Sequence, residues 1–347
     1  MERIAFFWGG MPIYWRTVLL ALGALSFALM LIALRLLQGR RLLPVLIALP
    51  PAAAASLYLG RIIQWYCLSE NYTSFGAALS DLSGGGISLI GAFAGALLFV
   101  LLLRLVGAEK DTPGLLDDVA AAGALGIAAG RLCELFGSSD RGKFLIENES
   151  LRRLPFSAAV IHPVSGAEEW RFATFCAQSL WAFLLFLLLA VRMIALSRKT
   201  PERREAAKGD GFVLFLSLYC EGQILLDSTR YDALFLRSNG FVSLEQILCC
   251  TVLTVILAVL CVRGVRSGGR RWKYPLCWIV YLGGFGLVGY MEYYVQRHGG
   301  AYAFSYSLMA LGLALVFSAL RIAAAGGRRT RTAAADAEDR RSEGRPI

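Results

Sequence analysis

Nine apolar runs, each close to twenty residues, follow one another along this chain. They fall at about 17–37, 42–60, 86–107, 115–136, 172–195, 211–228, 243–263, 274–294 and 302–324. A run of about twenty apolar residues matches the hydrocarbon thickness of a bilayer when wound as a helix. Inside lipid every backbone polar group must be bonded within the protein, so a span is a helix or a strand of a closed barrel. These runs are twice the length of a barrel strand. The expected fold class is therefore an all-α polytopic membrane protein. Composition agrees: 57% of residues are hydrophobic and only 17% charged, where a soluble domain carries about 25% charged residues. The first run is followed by Arg40-Arg41 without a small-residue cleavage site, so it reads as a span and not as a cleaved leader.

The basic residues set an expected orientation. Arg40-Arg41, Arg198-Lys199 with Arg203-Arg204, and Arg263 to Lys273 fall after spans one, five and seven, and Arg328, Arg329 and Arg331 follow span nine. With nine spans these all share one side, which the positive-inside rule makes cytoplasmic. The N-terminus then faces outward and the C-terminus inward. The net charge of +10 is on this reading a topology signal and a match for anionic lipid head groups. No nucleic-acid-binding motif accompanies it. Residues 137–171 form a long outer connection, expected to fold as a small cap. Residues 326–347, rich in Ala, Arg and Glu, are expected to be a disordered cytoplasmic tail.

Charge within apolar spans marks the candidate site, because an intramembrane ionisable group is costly unless it has a partner or a task. Arg131 and Glu134 stand three apart in span four, a spacing that places both on one helical face as an expected pair. Gly123, Gly126 and Gly130 in the same span allow close approach of a neighbouring helix or a lipid. Asp227 and Arg230 repeat the three-residue spacing at the end of span six, Glu221 lies within that span, and Arg61 sits near the end of span two. The plainer readings are a helix-locking ion pair for Arg131 with Glu134 and for Asp227 with Arg230, an interfacial arginine reaching to head groups for Arg61, and a structural partner of Gln223 or a neighbouring helix for Glu221. Seven of the eight cysteines fall in or near spans and read as small apolar residues; no spacing with His162 or His298 suggests a metal or a cofactor.

Six short motifs occur in a fixed order. They are Met11-Pro12-Ile13-Tyr14-Trp15, Gly60-Arg61-Ile62, Gly85-Gly86-Ile87-Ser88-Leu89-Ile90-Gly91, Gly130-Arg131-Leu132-Cys133-Glu134, Tyr219 through Asp227 to Arg230, and Leu244-Glu245-Gln246-Ile247-Leu248. Their order over residues 10–265 resembles the bacterial prolipoprotein diacylglyceryl transferase family. The resemblance implies a seven-helix core over residues 1–265, with two additional helices over 266–325, in the cytoplasmic membrane of a bacterium. It implies phosphatidylglycerol as one partner and lipobox-containing prolipoproteins as the other. The family reaction moves a diacylglyceryl group to a cysteine thiol and releases glycerol phosphate. Arginine suits such a diester, since its planar fork stays charged and pairs with phosphate oxygens two at a time. By this resemblance Arg131, Glu134, Asp227 and Arg230 are the expected catalytic residues. Arg61, Gly85, Gly86 and Gln246 are the expected lipid-binding residues.

Departures from the family pattern fall on its chemistry. Ile90 stands where the family has histidine, Glu134 where it has asparagine, and Gln223 where it has arginine. The surviving set suits the holding of an anionic head group better than the deprotonation of a thiol, whose thiolate is the nucleophile. Two readings therefore stand side by side: a transferase of this type with a replaced base, and a non-catalytic relative that binds phospholipid or lipoprotein precursor. A transporter is a third, without support from any inverted repeat.

Overall fold

The computed structural model describes residues 3–67, 73–80, 89–137, 139–161, 166–235 and 240–342. Helices coincide with all nine apolar runs. They are α1 (Trp15–Leu37), α2 (Leu43–Cys67), α4 (Leu89–Leu105), α5 (Thr112–Arg131), α7 (Thr174–Ser197), α9 (Asp210–Ser228), α10 (Leu244–Arg266), α11 (Lys273–Arg297) and α12 (Tyr302–Ser342). Short helices α3 (Phe75–Ser80), α6 (Glu149–Arg152) and α8 (Pro201–Ala206) lie in the connections. Seven of the described helices are long and apolar enough to cross a membrane. The other two coincide with spans three and four. α4 has 17 residues, and the apolarity of α5 is diluted by Asp117 and Asp118 near its start.

Helix α5 is the axis on which the site is built. Asp111 caps its start by accepting the Gly114 N–H at 3.1 Å, with Pro113 in the first turn, where a missing backbone donor costs nothing. α1 lies against α5 at backbone distance: a Cβ on Gly23 would stand 2.6 Å from the Gly130 Cα, and one on Gly126 would stand 2.8 Å from the Phe27 Cβ. Small residues at such a crossing let two helices touch along their backbones. α11 and α12 cross the same way at Gly284 and Gly312. Phe215, Tyr219 and Ile224 of α9, Leu253 and Leu257 of α10, and Tyr281 and Met309 of the last two helices are buried in one continuous core. The extra helices are thus packed into the bundle and not appended to it.

The chain differs from the expected outline in two places. Two small antiparallel hairpins accompany the helices: β1 (Ile4–Trp8) with β2 (Met11–Tyr14), and β3 (Ser157–Ile161) with β4 (Glu168–Phe172). Both lie at the end of the bundle where α5 and α9 finish. Helix α12 runs on to Ser342, past the point at 326 where a disordered tail was expected. The alanine-rich, charged composition that lowers hydropathy there is also strongly helix-forming.

Candidate functional site

Arg131 is the last residue of α5, and the chain then tightens into a 3-10 turn over Leu132–Leu135. That turn separates the expected pair. Glu134 does not bond Arg131; it accepts the Arg16 Nη2 of α1 at 2.7 Å, the Ser139 N–H at 3.3 Å and the Cys133 thiol at 3.6 Å. The three-residue spacing fails because it presumes an unbroken helix.

Arg131 turns instead to Asp140, whose carboxylate oxygen lies 2.5 Å from Arg131 Nη1. The other oxygen of Asp140 takes Arg230 Nη2 at 2.8 Å. One carboxylate therefore joins the end of α5 to the end of α9. Asp140 adopts φ 56°, a left-handed conformation that aspartate tolerates better than most residues, and its N–H donates to Asp232 at 2.8 Å. Burial pushes the Asp140 carboxyl up, but Arg230 and Arg131 pull it further down, so it titrates below the ordinary aspartate value.

The two arginines are used differently. Arg230 spends every nitrogen on protein: Nη1 on Asp227 at 2.8 Å and Glu245 at 3.4 Å, Nη2 on Asp140, and Nε on Asp232 at 3.2 Å. Asp227 completes its own set by accepting the Ser243 hydroxyl. Arg131 makes its close contact through Nη1. Its Nη2 forms a looser ion pair with Glu245 at 3.8 Å, and its Nε has no hydrogen-bond partner. The Nε–Nη2 side of a guanidinium is the fork that grips two oxygens of a carboxylate or phosphate.

More unspent polar capacity stands on the same elements. Arg141 is buried, stacks over the Phe175 ring at 4.6 Å and bonds the Glu134 and Gly137 carbonyls through Nη2 alone, leaving Nε and Nη1 without partners. Burial lowers its pKa, against the pull of Glu134 and Asp140. The Tyr219 hydroxyl stands close enough to Arg131 to bear directly on its guanidinium. Gln223 Nε2, one turn along α9, and both amide atoms of Gln178 on α7 also lack partners. Buried polar groups are ordinarily satisfied, so this concentration of unused donors marks a place prepared for something polar.

The remaining expected residues lie apart from this cluster or outside the described chain. Arg61 is buried at 2% exposure and donates through Nε and Nη2 to the Ala78 carbonyl, clamping α2 to α3. Gln246 is committed to structure: its Oε1 accepts the Ser243 N–H while Ser243 Oγ accepts the Gln246 N–H, a reciprocal helix cap, and its Nε2 reaches the Ile224 carbonyl at 3.2 Å. Gly85 and Gly86 fall outside the described residues. Ile90 is placed only as backbone in the first turn of α4. Asp140 and Arg141 sit in a connection and Arg16 one residue before the first expected span, so none stands out as a charge within an apolar run, and Glu245 lies inside a motif that points to Gln246.

A cleft of about 470 Å³ lined by Lys110, Asp111, Pro113, Glu205, Ala206 and Lys208 opens at the opposite end of the bundle. Its charged groups are paired with one another, Lys208 with both Asp111 and Glu205. It has none of the unspent donors seen around Arg131.

Residues 3–262 match the family model of prolipoprotein diacylglyceryl transferase. The chain belongs to that family. Similar relatives are phosphatidylglycerol--prolipoprotein diacylglyceryl transferases of Bacillus. The protein of Bacillus cereus strain G9842 is 26% identical over 286 residues, covering 79% of this chain and 95% of its own. That of Bacillus licheniformis is 26% identical over 264 residues, covering 73% and 91%. The family match ends in α10, so α11 and α12 lie beyond it.

Proposed function

We propose that the Arg131 end of the bundle holds the phosphate of phosphatidylglycerol, and that the chain acts as a diacylglyceryl transferase on lipobox prolipoproteins. The observation that carries this is the Arg131 guanidinium, fixed in place by Asp140, with its Nε unpartnered and its Nη2 only loosely paired to Glu245 at 3.8 Å, while Arg141 next to Asp140 keeps two nitrogens free. The names of the Bacillus relatives supply the substrate pair. The basic loops gather at the other end of the bundle, beside Arg40 and Lys208. Under the positive-inside rule this puts Arg131 at the outer leaflet of a bacterial cytoplasmic membrane, with the N-terminus out and the C-terminus in. Residues 137–171, with their hairpin, then form an outer cap.

In the transfer, the thiolate sulfur bonds to the diacylglyceryl carbon while the carbon–oxygen bond to phosphate breaks. Glycerol phosphate departs with the extra negative charge. A guanidinium gripping the phosphate stabilises that developing charge. The thiol proton needs an acceptor, and here the chain departs from its family. Ile90 has no proton-accepting group, and the Glu134 carboxylate is held by Arg16. Loss of a general base slows a reaction by roughly 10²–10⁴-fold, so transfer is weak. The second reading, a phospholipid-binding relative without turnover, rests on these same two residues.

The test is an assay of the purified full chain with phosphatidylglycerol and a lipobox peptide. Weak turnover in the wild type, abolished in Arg131→Ala, supports the transferase. Bound phosphatidylglycerol with no turnover, and binding lost in Arg131→Ala, supports the non-catalytic relative. Robust turnover unaffected by Glu134→Gln contradicts the missing-base account. A gain in Ile90→His locates the missing base at α4.

A further inference from the structure

A second polar cluster lies where α12, packed on α11 and beyond the part of the chain that matches the family, meets the end of α9. Tyr306 of α12 donates its hydroxyl to the Ser228 carbonyl at 3.3 Å. Ser228 is the last residue of α9, and the final carbonyls of a helix have no partner within it. Phe144 packs its ring against Tyr302 at 4.4 Å and Tyr306 at 6.1 Å. The Lys143 N–H donates to the Thr229 carbonyl at 2.7 Å. α12 therefore holds Ser228 and the 140–146 segment holds Thr229, the two residues between Asp227 and Arg230.

Charge reinforces the grip. Glu292 of α11 is 3% exposed; its Oε1 accepts Gln296 Nε2 at 2.7 Å and its Oε2 is unpartnered. The Lys143 ammonium is also unpartnered, and it feels Glu292 first and Asp227 second among charges. Glu292 acts electrostatically on Tyr306 as well. Ser228 Oγ and Ser305 Oγ, both buried, complete a polar cluster that the outer site does not use. The Glu292 carboxylate and the Lys143 ammonium act on each other electrostatically across this junction.

We propose that Tyr306, Glu292 and Lys143 are positioning residues: they fix the end of α9, and through it set Asp227 and Arg230 against Asp140 and Arg131. The two helices beyond the family core are on this account part of the site's scaffold. The link to ligand rests on the head-group reading given under Proposed function; the positioning itself does not.

Hydrogen exchange separates the two. The amides of Thr229, Arg230 and Tyr231 donate to Leu226, Asp227 and Arg141 and report the end of α9 directly. In the full chain, Tyr306→Phe and Glu292→Gln should each speed their exchange about three- to tenfold, the range one lost hydrogen bond spans. Both should weaken phosphatidylglycerol binding by a similar factor, with Glu292→Asp restoring both. The control is Tyr281→Phe, which cuts the 2.8 Å contact between α10 and α11 at Thr254 and should leave these amides and the binding unchanged. Unchanged amides in both Tyr306→Phe and Glu292→Gln overturn the proposal, as does an equal effect in the control. Faster amides with unaltered binding in a chain that does bind the lipid overturn the link to the site. Faster amides in a chain that binds no phosphatidylglycerol uphold the positioning and overturn the head-group reading.

Discussion

Both ends of the bundle bury ionic networks, and the two are built for different ends. At the Arg35 end carboxylates tie one element to the next. Asp117 accepts the Gly209 and Phe212 amides, each at 2.8 Å. Asp118 takes Gln38 at 2.7 Å and Arg40 at 3.2 Å, and Arg35 bridges from it to Glu109. What stays unspent there is confined to Arg35, whose Nε and Nη2 make no hydrogen bond. At the Arg131 end unspent groups are spread over α5, α7, α9 and the connection after α5: Arg131, Gln178, Gln223 and Arg141. The lesson is that buried charge alone does not mark a site. Nor does one guanidinium with idle nitrogens, as Arg35 shows; what sets the Arg131 end apart is idle groups on several elements at once.

Four substitutions or conditions sharpen this contrast, from the largest expected effect downward. Asp140→Ala removes the carboxylate that Arg131 and Arg230 share, leaving two buried guanidiniums short of a partner. The expected loss is about 4 kcal/mol, read as a fall in the thermal midpoint in detergent. Asp118→Ala breaks the latch at the other end and should cost about 3 kcal/mol, yet leave phosphatidylglycerol binding as it was. Weakened binding in that variant would erase the distinction between the ends. Gly23→Ala sets a methyl group against the Gly130 backbone. It should cost about 2 kcal/mol by forcing α1 off α5, with thermal unfolding as the measure.

Acid should separate the wild type from Asp140→Asn. Burial raises the Asp140 carboxyl, and Arg230 and Arg131 more than offset it, so its folded pKa lies below the aspartate reference of 3.8. A depressed folded pKa gives stability that is present above 3.8 and fades as pH falls through the lower folded value. Midpoints measured from pH 5 to pH 3 should therefore fall more steeply in the wild type than in Asp140→Asn. Parallel curves would show that Asp140 does not carry the effect.

Much of the scaffold was legible in the sequence because bilayer thickness and backbone satisfaction leave a run of apolar residues few choices. The nine runs became helices, and Gly126 and Gly130 of span four became part of the α1–α5 crossing, while Gly123 has no neighbour there among the described residues. The site was legible only in part. Arg131, Asp227 and Arg230 stand out as charges in apolar spans, and they do meet in one cluster. Their meeting point, Asp140, does not stand out, because a carboxylate in a charged connection looks like any solvated residue. The pairing of Arg131 with Glu134 misled because spacing carries no sign of where a helix tightens. Gln246 showed the converse fault: its place in a family motif gave no hint that its amide oxygen is spent on the cap of α10 and its amide nitrogen on the Ile224 carbonyl of α9.

The central claim is that Arg131 keeps its fork for a phosphate. Native mass spectrometry of the full chain, titrated with phosphatidylglycerol, tests it directly against a lipid with an uncharged head group. Two charge-assisted hydrogen bonds are lost in Arg131→Ala, so binding should weaken about 100-fold or more, while Asp118→Ala binds as the wild type does. The uncharged lipid should bind weakly to all three. Equal retention of phosphatidylglycerol by the wild type and Arg131→Ala would contradict the account.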